Sequence, residues 1–115
     1  MTIEEIFGNF ADKYQNFNWW MILGSESIAH FVPELKKEIG QDNPIFQYPV
    51  YDVAKCLAND DVLFLIADGS KEGLWRIYHL TYTENNIIGF PQYQEFTDRK
   101  SVGDFIEKQF IADFL

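Results

Sequence analysis

The chain has 115 residues, a length that predicts a single domain over residues 1–115. Apolar residues make up 47% of it and aromatic residues 17%, enough for a packed core without disulfides or metals. The formal net charge is −9, from 18 acidic and 9 basic residues. That charge opposes binding to nucleic-acid backbones and anionic membranes, and it favours a basic partner if there is one.

Cysteine content and hydropathy predict the compartment. Cys56 is the only cysteine, so an intrachain disulfide and a cysteine-based zinc site are excluded. The stretch MTIEEIFGNF is acidic and lacks the pattern of a signal peptide, and the apolar run 62–67 is too short to span a membrane. We therefore expect a cytoplasmic protein.

Two helices are predicted before the first long strand. Thr2 and Glu5 form a capping box, and helical spacing of apolar residues follows over 3–15. A second apolar stripe predicts a helix over 26–39 that ends at Gly40. Pro33 lies inside this stripe. Either it kinks one bent helix, or a new helix begins with Pro33 in its first turn.

Strand patterns occupy most of the second half. Alternation predicts a strand over 50–57, and continuous apolar character predicts one over 61–67 that is covered on both faces. A loop beginning with Asp68-Gly69 leads to a strand over 74–83, and a shorter strand is predicted around 92–96.

A second capping box, Ser101 with Asp104, predicts the start of a closing helix. The expected fold is α+β: two N-terminal helices, an antiparallel meander of three to four strands, and a C-terminal helix. We expect the helices mainly on one face of the sheet. Residues 19–23, a second subunit or a partner would then cover the other face.

Polar residues of the sheet are the candidates for chemistry. Arg76 and His79 lie three residues apart on a predicted strand, so they point to opposite faces and are not a catalytic pair. Arg76 is expected to pair with Asp52 or Glu95 across the sheet. Asp60 and Asp61 are typical of a turn and a strand start. No catalytic, phosphate-binding or dinucleotide motif is present, so no cofactor is expected.

Several sequence stretches carry a resemblance to known groups. The strings ELKKEIG (34–40), NPIFQYPVYDVAKCLANDDVLFLIADG (43–69), YHLTYT (78–83) and P-x-Y (91–93) together resemble a group of small uncharacterised bacterial α+β proteins. That resemblance implies no activity. The strings VLFLIADGS, LWRIYHL and SVGDFIEKQF are similar, more loosely, to SUKH-type immunity proteins. This second resemblance would imply a stoichiometric inhibitor of a toxin.

We therefore predict a non-catalytic protein-binding module, in one form an immunity protein with a basic toxin as partner. One alternative is a homodimer without an external partner. Another is a small enzyme or ligand-binding protein with His79 or Arg76 in a pocket that also holds an acid. The predicted partner-binding residues combine aromatic anchors with polar neighbours. They are Trp19, Trp20, Trp75, Arg76, His79, Asp60 and Asp61.

Overall fold

A computed structural model describes residues 1–22, 31–82 and 91–114 of the chain. Within these ranges the protein is an α+β domain with an antiparallel sheet. In chain order the elements are α1 (Ile3–Lys13), β1 (Trp19–Met21), α2 (Phe31–Ile39), a 3₁₀ helix (Pro44–Gln47), β2 (Val50–Cys56), β3 (Asp61–Ile66), β4 (Leu74–His79), β5 (Tyr93–Phe96) and α3 (Arg99–Phe114). None of the described helices is long and apolar enough to cross a bilayer.

Side-chain caps start both terminal helices. The predicted capping box of α1 is confirmed: the Thr2 hydroxyl accepts from the Glu5 N–H at 3.1 Å, and the Glu5 carboxylate accepts from the Thr2 N–H at 3.0 Å. The predicted start of α3 was wrong by a few residues. Asp98 caps that helix, because its carboxylate accepts from the N–H of Ser101 at 2.7 Å.

Among the described residues the sheet has five strands in the order β1-β2-β3-β4-β5, and every neighbouring pair is antiparallel. The prediction of three to four strands missed β1, a three-residue strand that pairs with the end of β2. β1 also separates the two predicted N-terminal helices along the chain. A bulge at Val53 interrupts β2, so buried Asp52 and buried Ala54 lie on opposite faces.

Helices cover both faces of this sheet. On the front face, Ile3 and Phe7 of α1 and Val102 and Ile106 of α3 pack on the sheet. On the back face, Leu35 of α2 joins Ile45 of the 3₁₀ helix and the buried side chains of the central strands. The expectation of helices mainly on one face therefore holds for α1 and α3 only. α2 therefore covers part of the back face, a role that had been expected of residues 19–23, a second subunit or a partner.

Several predictions concern ends of elements. The strand predicted over 74–83 ends at His79, because Thr81 and Tyr82 donate hydrogen bonds to buried Glu38 of α2. Tyr82 takes a left-handed conformation at φ 56°, which ends the extended run. Pro33 lies inside α2, but residues 26–30 of the predicted helix lie outside the described residues. The choice between one bent helix and a new helix that begins near Pro33 depends on these residues, so it also lies outside the described residues.

Candidate functional site

The structure does not bring the seven predicted partner-binding residues onto one surface. Trp75 is only 4% exposed and packs in the front core, where its indole N–H donates to the Glu72 carbonyl at 3.1 Å. Trp19 is half-buried against Phe7 on the same face. Trp20 is 40% exposed, but it lies on edge strand β1.

The polar members of that set also separate by face. Asp61 and His79 are register partners on the front face, whereas Arg76 is opposite Phe64 on the back face. The prediction that Arg76 and His79 point to opposite faces is thereby confirmed. Asp60 is exposed in the turn before β3, where its carbonyl accepts from the N–H of Leu80 at 3.1 Å.

Arg76 organises a cluster at the other edge of the sheet. Its Nε donates to Glu95 at 2.8 Å, which confirms Glu95 as one of the two acids predicted to pair with it. Its Nη1 donates to the Tyr78 hydroxyl at 2.7 Å, and its Cζ lies 4.4 Å from the ring centre of Tyr93. We call Arg76, Tyr78, Tyr93 and Glu95 the edge cluster.

Burial differs sharply within the edge cluster. Tyr78 is 1% exposed, and burial raises the pKa of its hydroxyl although the Arg76 guanidinium acts in the opposite direction. Tyr93 is 48% exposed, yet its ring lies 4.9 Å from that of Tyr78 and contacts the guanidinium of Arg76. An exposed aromatic ring therefore packs on a buried tyrosine and a partly buried arginine.

The backbone of β5 faces outward next to that ring. The His79 N–H donates to the Gln92 carbonyl, so these two residues form a hydrogen-bonded pair. Hydrogen-bonded pairs alternate along an antiparallel ladder, so Gln94 and Phe96 are the next β5 residues whose backbone groups face β4. The N–H and C=O groups of Tyr93 and Glu95 consequently point away from β4. In the described ranges no further strand pairs with this side of β5.

A cleft of about 310 Å³ opens on the front face near the same edge. Nδ1 of His79 lies 2.8 Å from Oδ1 of Asp61 at one end of it, and the His79 side chain is 55% exposed. A carboxylate at Nδ1 orients an imidazole and leaves Nε2 for a ligand or a water molecule. The remaining lining includes Gln92, Gln94 and Gln109. The cleft has the geometry that the enzyme or ligand-binding alternative requires, but that alternative stays a prediction.

Other parts of the described chain offer less chemistry. A groove of about 710 Å³ runs beside the contact between α1 and α3. Cys56 is buried, and burial raises the pKa of its thiol, which disfavours the reactive thiolate. Among the described residues no group of three or more histidines, cysteines or acids is placed to hold a metal ion.

Comparison of the chain with protein-family models, curated proteins and solved structures finds no match. The two resemblances drawn from the sequence therefore stay predictions.

Sequence reasoning missed Tyr93 as a member of the site. The available signal was its position two residues from Glu95 on a short predicted strand, since residues at this spacing share a face. What was not visible is that β5 is an edge strand and that Tyr93 contacts both Tyr78 and Arg76.

Proposed function

We propose that the protein is a non-catalytic binding module that takes a basic protein partner at the edge cluster. The observation that carries this proposal is the half-exposed ring of Tyr93, packed against Tyr78 and Arg76. An aromatic side chain that is already fixed loses little conformational entropy when a partner covers it. Rings of this kind are common energetic centres of protein interfaces.

Charge supports the choice of a basic partner. With a net charge of −9, the protein attracts basic proteins over distances beyond direct contact and repels other acidic proteins. Oε1 of Glu95 accepts from Arg76 within the edge cluster, and the Glu95 side chain is still 43% exposed to a partner. An immunity protein that blocks a basic toxin is one form of this function, and a toxin that acts on nucleic acid would have the matching charge.

The test is affinity capture of partners from the native lysate by the tagged chain, compared with two variants. Tyr93→Ala removes the fixed ring, and Tyr48→Ala removes a ring of similar exposure, 44%, outside the cluster. We expect the chain and Tyr48→Ala to retain a basic protein at about 50 mM salt and to lose it at about 500 mM. Tyr93→Ala should weaken the complex by about 2 kcal/mol, roughly 30-fold.

Equal retention by Tyr93→Ala and by the unchanged chain would contradict the proposal. A third variant, His79→Gln, separates the cleft from the edge cluster. If binding is lost in His79→Gln and kept in Tyr93→Ala, the contact belongs to the cleft, and the ligand-binding alternative replaces the proposed function.

A further inference from the structure

We infer that the partner's contacting segment is an extended basic strand that adds to the outer side of β5. This inference rests on the proposed function and specifies how the partner is held. The ladder between β4 and β5 leaves the backbone groups of Tyr93 and Glu95 pointing outward. An extended peptide reaches such a row of groups with its own main chain.

The flanking side chains give this edge a preferred sequence. Tyr93 and Glu95 share the back face of the sheet with Tyr78 and Arg76, their register partners. Glu95 already accepts from Arg76 through Oε1, but its side chain is 43% exposed. A basic residue of the incoming strand opposite Glu95 is therefore favoured, because directly opposite side chains interact across a strand pair. The residue two positions away meets the ring of Tyr93 and is favoured when it is large and apolar or aromatic.

A second copy of this chain is the competing occupant of the same edge. Two antiparallel β5 strands centred on Gln94 would place Tyr93 of each copy opposite Glu95 of the other. However, it brings together two molecules that each carry a net charge of −9. Repulsion between two such charges disfavours a dimer, whereas the same negative charge attracts a basic segment.

Selection from a displayed library of random peptides against the tagged full chain tests the inference. We expect enrichment of peptides with Lys or Arg two positions from a large apolar or aromatic residue. Glu95→Pro should weaken the selected peptides by about tenfold or more, because proline removes an outward N–H and blocks strand addition. Glu95→Gln, which keeps that N–H and removes only the charge, should weaken them less.

Variants that unfold are recognised by their melting curves. A proline at residue 95 is compatible with the fold because this N–H does not serve the ladder to β4. Unchanged affinity in Glu95→Pro, or selected peptides without the basic residue, would overturn the inference. So would a chain that is dimeric by light scattering before peptide is added. If Tyr93→Ala loses the captured partner while Glu95→Pro keeps it, the proposed function stands and strand addition fails.

Discussion

At Glu38 a single carboxylate ties α2 to the end of β4. The side chain is 3% exposed and accepts from the Thr81 N–H at 2.7 Å, the Thr81 hydroxyl at 2.8 Å and the Tyr82 N–H at 2.9 Å. Burial alone would raise the pKa of Glu38, but hydrogen bonds from Glu34, Thr81 and Tyr82 lower it. Burial raises the pKa of Glu34, and the neighbouring Glu38 raises it further. The pKa values of these two carboxyls, one helix turn apart, are therefore shifted in opposite directions.

Glu38→Gln should lower the free energy of unfolding by about 2 kcal/mol at neutral pH, since an amide replaces a charged acceptor of buried N–H groups. Glu34→Gln, one turn earlier, should cost less, because the glutamine amide can still donate to Glu38 and the change removes a carboxyl whose charge burial disfavours. Chemical denaturation of the three proteins measures both effects.

The same pair sets an expected pH dependence. The pKa of Glu38 is lowered on folding, so its stabilisation is present above its ordinary pKa of 4.5 and is lost as the pH falls through the lowered pKa. The stability difference between the unchanged chain and Glu38→Gln should therefore shrink on acidification. A difference that stays constant down to pH values where Glu38 is protonated would contradict this account.

Individual side-chain contacts were only partly predictable. The pairing of Arg76 with Glu95 could be predicted, because both lie on predicted strands and carry opposite charges. The contact of Glu38 with Thr81 and Tyr82 could not, since it joins residues 43 and 44 positions apart through a helix whose docking face was unknown. Local patterns specify which residues are polar but not which distant groups they meet.

At the scale of elements, α1 and α3 approach closely at Gly103. A Cβ built there would lie 2.9 Å from Cγ2 of Ile6, a methyl group on a β-branched side chain whose χ1 is restricted in a helix. Gly8 of α1 is exposed, and a Cβ there would meet nothing within 4 Å. Both glycines lie inside helices, so alanine improves intrinsic helix propensity equally at the two positions.

Gly8→Ala should therefore raise the free energy of unfolding by up to about 1 kcal/mol. Gly103→Ala should lower it by about 1 kcal/mol, since overpacking costs more than the gain in propensity. Thermal unfolding of the two variants gives the comparison. If both variants are stabilised, the helices separate at no cost, and the close crossing of α1 and α3 is wrong.

The type of most elements was predictable, and their arrangement less so. The continuous apolar run of β3 correctly indicated two covered faces: Val62, Phe64 and Ile66 join the back core, and Leu63 joins the front core. That signal conflicted with the expectation of helices mainly on one face. In the structure α2 resolves this conflict by covering the back face. The sequence of α2 carries an apolar stripe, but it does not say which face of the sheet that stripe covers. β1 was missed because three apolar residues give no periodicity to identify.

At the scale of the whole molecule, two half-exposed aromatic residues on the back face, Trp20 and Tyr93, lie at opposite edges of the sheet. Trp20 and Tyr93 belong to one row that crosses all five strands through Lys55, Val62 and Tyr78. Four strand spacings separate the ends of this row by about 19 Å. One partner strand at β5 therefore does not contact Trp20, and the edge cluster and Trp20 lie on separate surfaces.

The most direct test of the edge-cluster account is amide hydrogen exchange on the free chain and on its complex with the captured basic partner. We predict fast exchange at Tyr93 and Glu95 in the free chain and strong protection of both in the complex. The N–H of Gln94 faces β4 and should be slow in both states, which makes it an internal control. Unchanged exchange at Tyr93 and Glu95 in the complex would contradict the account and move the interface elsewhere.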